Sequence, residues 1–121
     1  MVLLPLLWNL NLIPARAESL DHWVNRLAVC ESNRNANAIV LDVNKKYSAG
    51  ILQFQLNTIK VYALRYGMRS EITREDWLNP DLQRRVAIAM LTESWSNWRH
   101  WRNCSIVIGL PPQTDLALRS F

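Results

Sequence analysis

The chain has 121 residues, half of them hydrophobic and a fifth charged, with only three glycines. That makes one globular domain with room for a sizeable core, and it excludes a disordered or low-complexity protein. The formal charge of +4 is spread along the chain, with Lys45-Lys46 and Arg84-Arg85 as its longest runs, so the concentrated basic stripe of a nucleic-acid-binding domain is missing.

Residues 1–17 are apolar and end in Ala15-Arg16-Ala17, a small-x-small site of the signal-peptidase kind. Asn9, Asn11 and Pro14 interrupt the stretch, which is too short for a membrane span. Despite the missing charged n-region it reads as an export signal ahead of a domain at 18–121, in preference to an N-terminal core segment or a mis-assigned start. No other segment can cross a membrane. Ser19 then reads as an N-cap, and Leu20, Trp23, Val24, Leu27 and Ala28 recur at helical spacing. Glu31 extends that apolar face at the end of the helix. Burial there raises a carboxyl pKa, and the negative end of the helix dipole pushes the same way, as a general acid near neutral pH requires. Helical phase alone leaves a second reading open: a surface glutamate at a frayed end, or one paired with Arg34.

Residues 32–37 form a polar loop. Ala38 to Val43 is β-prone, Asn44-Lys45-Lys46 is a turn, and Tyr47-Ser48 begins a return strand, which together predict a short hairpin. Gly50 breaks the pattern before the apolar Ile51-Leu52-Gln53-Phe54. A helix is expected from Asn57 to Arg65 or Tyr66, with Gly67 just past its end. Thr73 and Asp76 flank a short helical turn. Asn79-Pro80-Asp81 supplies a cap, a first-turn proline and a first-turn acid for a further helix. Leu82, Val86, Ala89, Met90 and Glu93 share one face of it. Trp95, Trp98 and Trp101 follow at three-residue spacing around a possible cap at Asn97, and read as packing residues. Pro111-Pro112 opens an irregular tail. Cys30 and Cys104, the two cysteines, predict one disulfide in an exported protein, with two buried thiols as the alternative. The bridge would close a loop of about 75 residues, worth on the order of 4 kcal/mol in the chain-entropy model.

Glu31-Ser32, Asn35 and Ala38 resemble the opening motif of soluble lytic transglycosylase domains. Ser48-Ala49-Gly50-Ile51-Leu52-Gln53 is similar to that family's second motif, and Thr58 sits where its threonine follows. The resemblance is strongest over 27–58 and extends more weakly over 79–104. Ala36 and Leu56 depart from prolines of the family, and Trp95 to Trp101 stands where a tyrosine-asparagine-x-glycine element would. The resemblance implies a lysozyme-like fold, α+β and mainly α, with a small β-hairpin between the first two helices. It further implies peptidoglycan glycan strands as partner, a cleft lined by Ser48, Gly50 and Gln53, and Glu31 as catalytic acid.

Cleaving a glycosidic bond needs a proton for the leaving oxygen and stabilisation of an oxocarbenium-like centre. Asp42 is either a second carboxylate for this work or an ordinary turn-flanking aspartate. The resemblance also implies that the substrate's N-acetyl group serves as internal nucleophile. Ser48 and Gln53 suit sugar hydroxyls and an acetamido group, and Gly50 would let backbone approach substrate. Tyr47 and Tyr62 fall nearer the cleft than the tryptophans. Glu93, the rival acid, reads as a buried partner to an arginine. His22 and His100 lie apart from any metal-spaced set, so no metal and no cofactor are expected. A monomer is expected, with no nucleic acid and no stable membrane insertion. Two other classes remain: a non-catalytic lysozyme-like module that binds glycan or protein, and a basic helical nucleic-acid binder. For the latter, Arg65, Arg69, Arg84, Arg85, Arg99 and Arg102 are scattered over several segments.

Overall fold

A computed structural model describes residues 18–113; the expected export segment, 1–17, lies outside them. Ser19 opens helix α1 (Leu20–Ser32), its side chain accepting from the His22 N–H and so satisfying one of the free donors of a first helical turn. Trp23, Val24, Leu27 and Ala28 are its buried stripe. Three short strands follow, β1 (Ile39–Leu41), β2 (Tyr47–Ala49) and β3 (Phe54–Gln55), antiparallel in that order. β1 is narrower than the β-prone run Ala38–Val43 because Asp42 already belongs to the turn: its N–H donates to Lys46 and its carbonyl accepts from Lys45. The third strand departs from the expected two-stranded hairpin. Only the end of the apolar run pairs, Phe54 opposite Ala49 and Gln55 opposite Ser48.

Helix α2 (Leu56–Arg65) starts one residue before Asn57 and stops at Tyr66, with Gly67 at φ 66°. Thr73 and Asp76 close a reciprocal capping box on α3 (Arg74–Leu78). Asn79 caps α4 (Pro80–Glu93) by accepting from the Leu82 N–H, with proline in the first turn. A 3-10 helix (Trp95–Trp101) leads into α5 (Arg102–Ile108). Three residues per turn put Trp95, Trp98 and Trp101 on one face. Asn97 does not cap a helix; its side chain donates to the Met90 carbonyl at 2.7 Å, satisfying the end of α4.

α4 is the central helix, packed against α1, α2 and the 3-10 helix. Cover on several sides broadens its buried face to Leu82, Gln83, Val86, Ala87, Met90 and Leu91. Ala89 and Glu93, expected on that face, fall at its margin, half-buried and exposed. The architecture is α+β and mainly helical, with the small sheet between the first two long helices. Among the described residues no helix is long and apolar enough to cross a membrane.

Candidate active site

The last turn of α1 is tied down on both sides of Glu31. Cys30 is disulfide-bonded to Cys104 on α5, with their Cα atoms 5.8 Å apart. The Ser32 hydroxyl donates to the Ile51 carbonyl at 2.8 Å, fastening the helix end to the segment after β2. Asn33 and Arg34 both take positive φ, 53° and 61°, and turn the chain sharply out of the helix. Among the described residues no ion pair joins Glu31 to Arg34. Glu31 instead opens into a cleft of about 430 Å³ that is also lined by Val40, Asp42, Ser48 and Gln53. A second cavity of about 210 Å³ shares Asp42, Ser48 and Gln53 with it and adds Gln55 and Thr58.

Burial is the main reason that the Glu31 carboxyl is pushed up to about 7, and the negative charge of Asp42 adds to it. Asp42 is itself held in place. The Ser48 hydroxyl, buried on β2, donates to it, and Gln55 Nε2 donates to the same oxygen at 2.8 Å. Gln55 is held in turn by Asn44 across the turn.

The structure brings Glu31, Asp42, Ser48 and Gln53 to one cleft, but not Tyr47 or Gly50. Tyr47 precedes Ser48 on β2 and side chains alternate across a strand, so it points to the opposite face and is 54% exposed. Gly50 (φ +83°) faces the interior: a Cβ there would lie 2.2 Å from Gln83 Nε2. The close neighbour that demands glycine is therefore the Gln83 side chain. Fully buried, Gln83 donates to the carbonyls of Ala49 (2.8 Å) and Trp77 (2.6 Å) and accepts from the Leu52 N–H (2.8 Å). Gln53, at φ +52°, uses its own amide to bridge the carbonyls of Ala38 (3.1 Å) and Gly50 (2.9 Å). It shapes the cleft as well as lining it.

The opposite wall comes from the 3-10 helix and α5, through Arg99, His100, Trp101, Arg102, Asn103 and Cys104. Sequence reasoning missed these as cleft residues, and the tryptophan period held the signal. Trp101 is 3% exposed, donates its indole N–H to the Leu52 carbonyl at 2.8 Å and meets Phe54 edge-on at 5.4 Å. With that face turned inward, its neighbours in sequence are left to the cleft. Burial pulls the His100 pKa below the usual histidine value. Tyr62 stands beside His100 with ring centroids 5.6 Å apart but is not among the lining residues. Glu93 is ion-paired with Arg65 at 2.8 Å and accepts from the Tyr66 hydroxyl, yet it is exposed and not buried as expected. Among the described residues no group of three or more His, Cys, Asp or Glu side chains is arranged to hold a metal ion.

A family profile described as the transglycosylase SLT domain matches residues 14–107 of the chain. No curated protein and no solved structure gives a significant match.

Proposed function

The chain belongs to the SLT transglycosylase domain family, whose chemistry is lytic cleavage of peptidoglycan, and from that premise we propose that Glu31 is the single acid/base of the reaction. The bond broken is the β-1,4 link between N-acetylmuramic acid and N-acetylglucosamine. The observation that carries this reading is a half-buried glutamate, pushed up to about 7, at the end of α1 in an open cleft. Such a group still holds its proton near neutral pH and can deliver it.

In the proposed reaction the Glu31 carboxyl gives its proton to the glycosidic oxygen as the C–O bond breaks. The substrate's N-acetyl oxygen takes up the electron-poor anomeric carbon. The Glu31 carboxylate then removes a proton either from the sugar's 6-hydroxyl or from water. The deprotonated oxygen bonds to the anomeric carbon as the bond to the N-acetyl oxygen breaks, which closes an anhydro ring in the first case and leaves a reducing end in the second. Asp42 is a fixed charge in this scheme. With Ser48 and Gln55 both donating to it, it raises the proton affinity of Glu31 and favours the positive charge that develops on the sugar. The domain proper is residues 18–121, acting outside the cytoplasm after export, in keeping with the Cys30–Cys104 disulfide.

Mass analysis of products from purified peptidoglycan tests the reading. Wild-type protein should release anhydro- or reducing-end muropeptides, and Glu31→Gln should release neither. Intact strands after incubation with folded wild-type protein would replace this reading by a non-catalytic glycan-binding module.

A further inference from the structure

The cleft is lined from two directions: by Glu31 of α1 with Asp42 of the β1–β2 turn, and by Arg99 and Arg102 of the 3-10 helix and α5. Asp42 is its negative group where Glu31 keeps its proton. Arg99 lies in the last turn of the 3-10 helix and Arg102 opens α5, so the two flank the junction at Trp101. Burial of Trp101 between them, with its indole tied to Leu52, fixes how that turn is presented. The Arg99 guanidinium lies over the Trp98 ring, 5.7 Å from its centre, which restricts where its fork points.

Both arginines are exposed, and among the described residues neither has an acidic partner. Arg26, Arg65, Arg69 and Arg84 each hold a carboxylate; among the same residues Arg34, Arg74 and Arg85 have no acidic partner either but do not line this cleft, so the position of Arg99 and Arg102 in the cleft sets them apart. Glu31 and Asp42 face the same cleft without reaching Arg99 or Arg102, so the gap is left for a ligand to fill. Hydroxyls and acetamido groups of a neutral glycan find donors and acceptors in Ser48, Gln53 and Asn103. A pair of free guanidiniums adds something such a glycan cannot use: planar forks matched to carboxylate oxygens.

We infer that Arg99 and Arg102 bind a carboxylate carried by the glycan strand and make the cleft selective for carboxylated strands over neutral ones. The inference rests on the glycan-cleaving reading for the identity of the strand, not for the chemistry of the wall. Two sources offer that carboxylate: the lactyl group of muramic acid once its peptide is removed, and the peptide itself.

Binding measured with the Glu31→Gln protein keeps every strand intact and needs no turnover. Three probes of equal length are compared: a neutral chitooligosaccharide, amidase-stripped strands with free lactyl groups, and peptide-bearing strands. At least one carboxylated probe should bind about tenfold or more tightly than the neutral one, and added salt should shrink that advantage. Preference for stripped strands identifies the lactyl group; preference for peptide-bearing strands identifies the peptide. Adding R99Q and R102Q should bring the advantage below about threefold, with the loss falling on the carboxylated probes more than on the neutral one, and R99K with R102K should restore part of it. Equal affinity for all three probes, equal loss on all three after substitution, or no measurable binding to any would overturn the inference. Selective binding by a protein whose wild type leaves peptidoglycan uncut would overturn the proposed reaction and leave the arginine wall standing.

Discussion

The displaced proton equilibrium that suits Glu31 to its proposed role also costs the fold stability. The Glu31 carboxyl moves from 4.5 to about 7 on folding, so the folded protein binds this proton more tightly than the unfolded chain. The contribution of this one group is fully present below about pH 4.5 and is lost as pH rises toward 7, the reverse of an ion-paired carboxylate such as Glu18. Glu31→Gln should therefore stabilise the domain by about 1–2 kcal/mol at pH 8, discounted for the partial exposure of the group, and by almost nothing at pH 4. Thermal unfolding at both values reads this, and equal shifts would remove the linkage. In catalysis the sign is simpler. Only the protonated form donates, so activity should fade above about pH 7, and Glu31→Gln should lose at least about a hundredfold in turnover. Asp42→Asn removes one of the two causes of the shift and should move the basic limb toward acid; a limb that stays put would mean that Asp42 does not act on Glu31. Glu31 was legible in the sequence because helical phase and a motif pointed to the same residue. The donors holding Asp42 were half legible: Ser48 stood out, whereas Gln55 is set by the pairing of β2 with β3, which no local pattern announces.

Caps and turns are local chemistry, and Ser19, the Thr73/Asp76 pair and Asn79-Pro80 marked their helix starts to within a residue. The turn after β2 is different. Gly50 in its motif signalled a close approach, but the partner is Gln83 on α4, and only the packed fold brings the two together. A polar side chain on an otherwise apolar helical stripe was the one clue. Gln83 takes three hydrogen bonds from or to this region, so Gln83→Leu leaves the Leu52 N–H and two carbonyls without partners. It should destabilise by about 2–4 kcal/mol. Gly50→Ala meets both the positive φ and the Gln83 amide and should cost a similar amount, about 2–3 kcal/mol. Because both act on one contact, the double variant should lose less than the sum. Urea unfolding of the set measures this; strict additivity would mean that the two residues do not support each other. The 3-10 helix eluded sequence reading for a related reason. Its tryptophans were identified as packing residues, but which wall they would turn toward the sheet depends on Leu52 and Phe54, far away in the chain.

At the scale of the molecule the cleft is a meeting of two distant segments, α1 with the sheet on one side and the 3-10 helix with α5 on the other. The Cys30–Cys104 disulfide joins them beside the proposed catalytic and binding groups, for Cys30 precedes Glu31 and Cys104 lies two residues beyond Arg102. Its crosslink spans a separation of 74 residues, which in the chain-entropy model stabilises by on the order of 4 kcal/mol. For a domain of this size that corresponds to a fall in Tm of more than about 10 °C on reduction. The bond also holds the last turn of α1 against α5, so its loss should reach the cleft before it unfolds the core. Trp23, whose indole N–H donates to the Gly109 carbonyl at 2.9 Å, and Arg26, which donates to the Ile108 carbonyl at 2.9 Å, still tie α1 to the end of α5. A Cys30→Ala/Cys104→Ala protein, assayed well below its own Tm, should therefore remain folded by circular dichroism. Its kcat/KM should fall severalfold, and its basic pH limb should move toward acid as water gains access to Glu31. Non-reducing mass spectrometry of a digest of protein from an oxidising compartment should show the linked peptides. Two alkylatable thiols there, or an unchanged Tm under reductant, would refute the crosslink; a lower Tm with an unmoved pH limb would confine the bond to stability and leave the placement of Glu31 to Ser32 and the packing of α1.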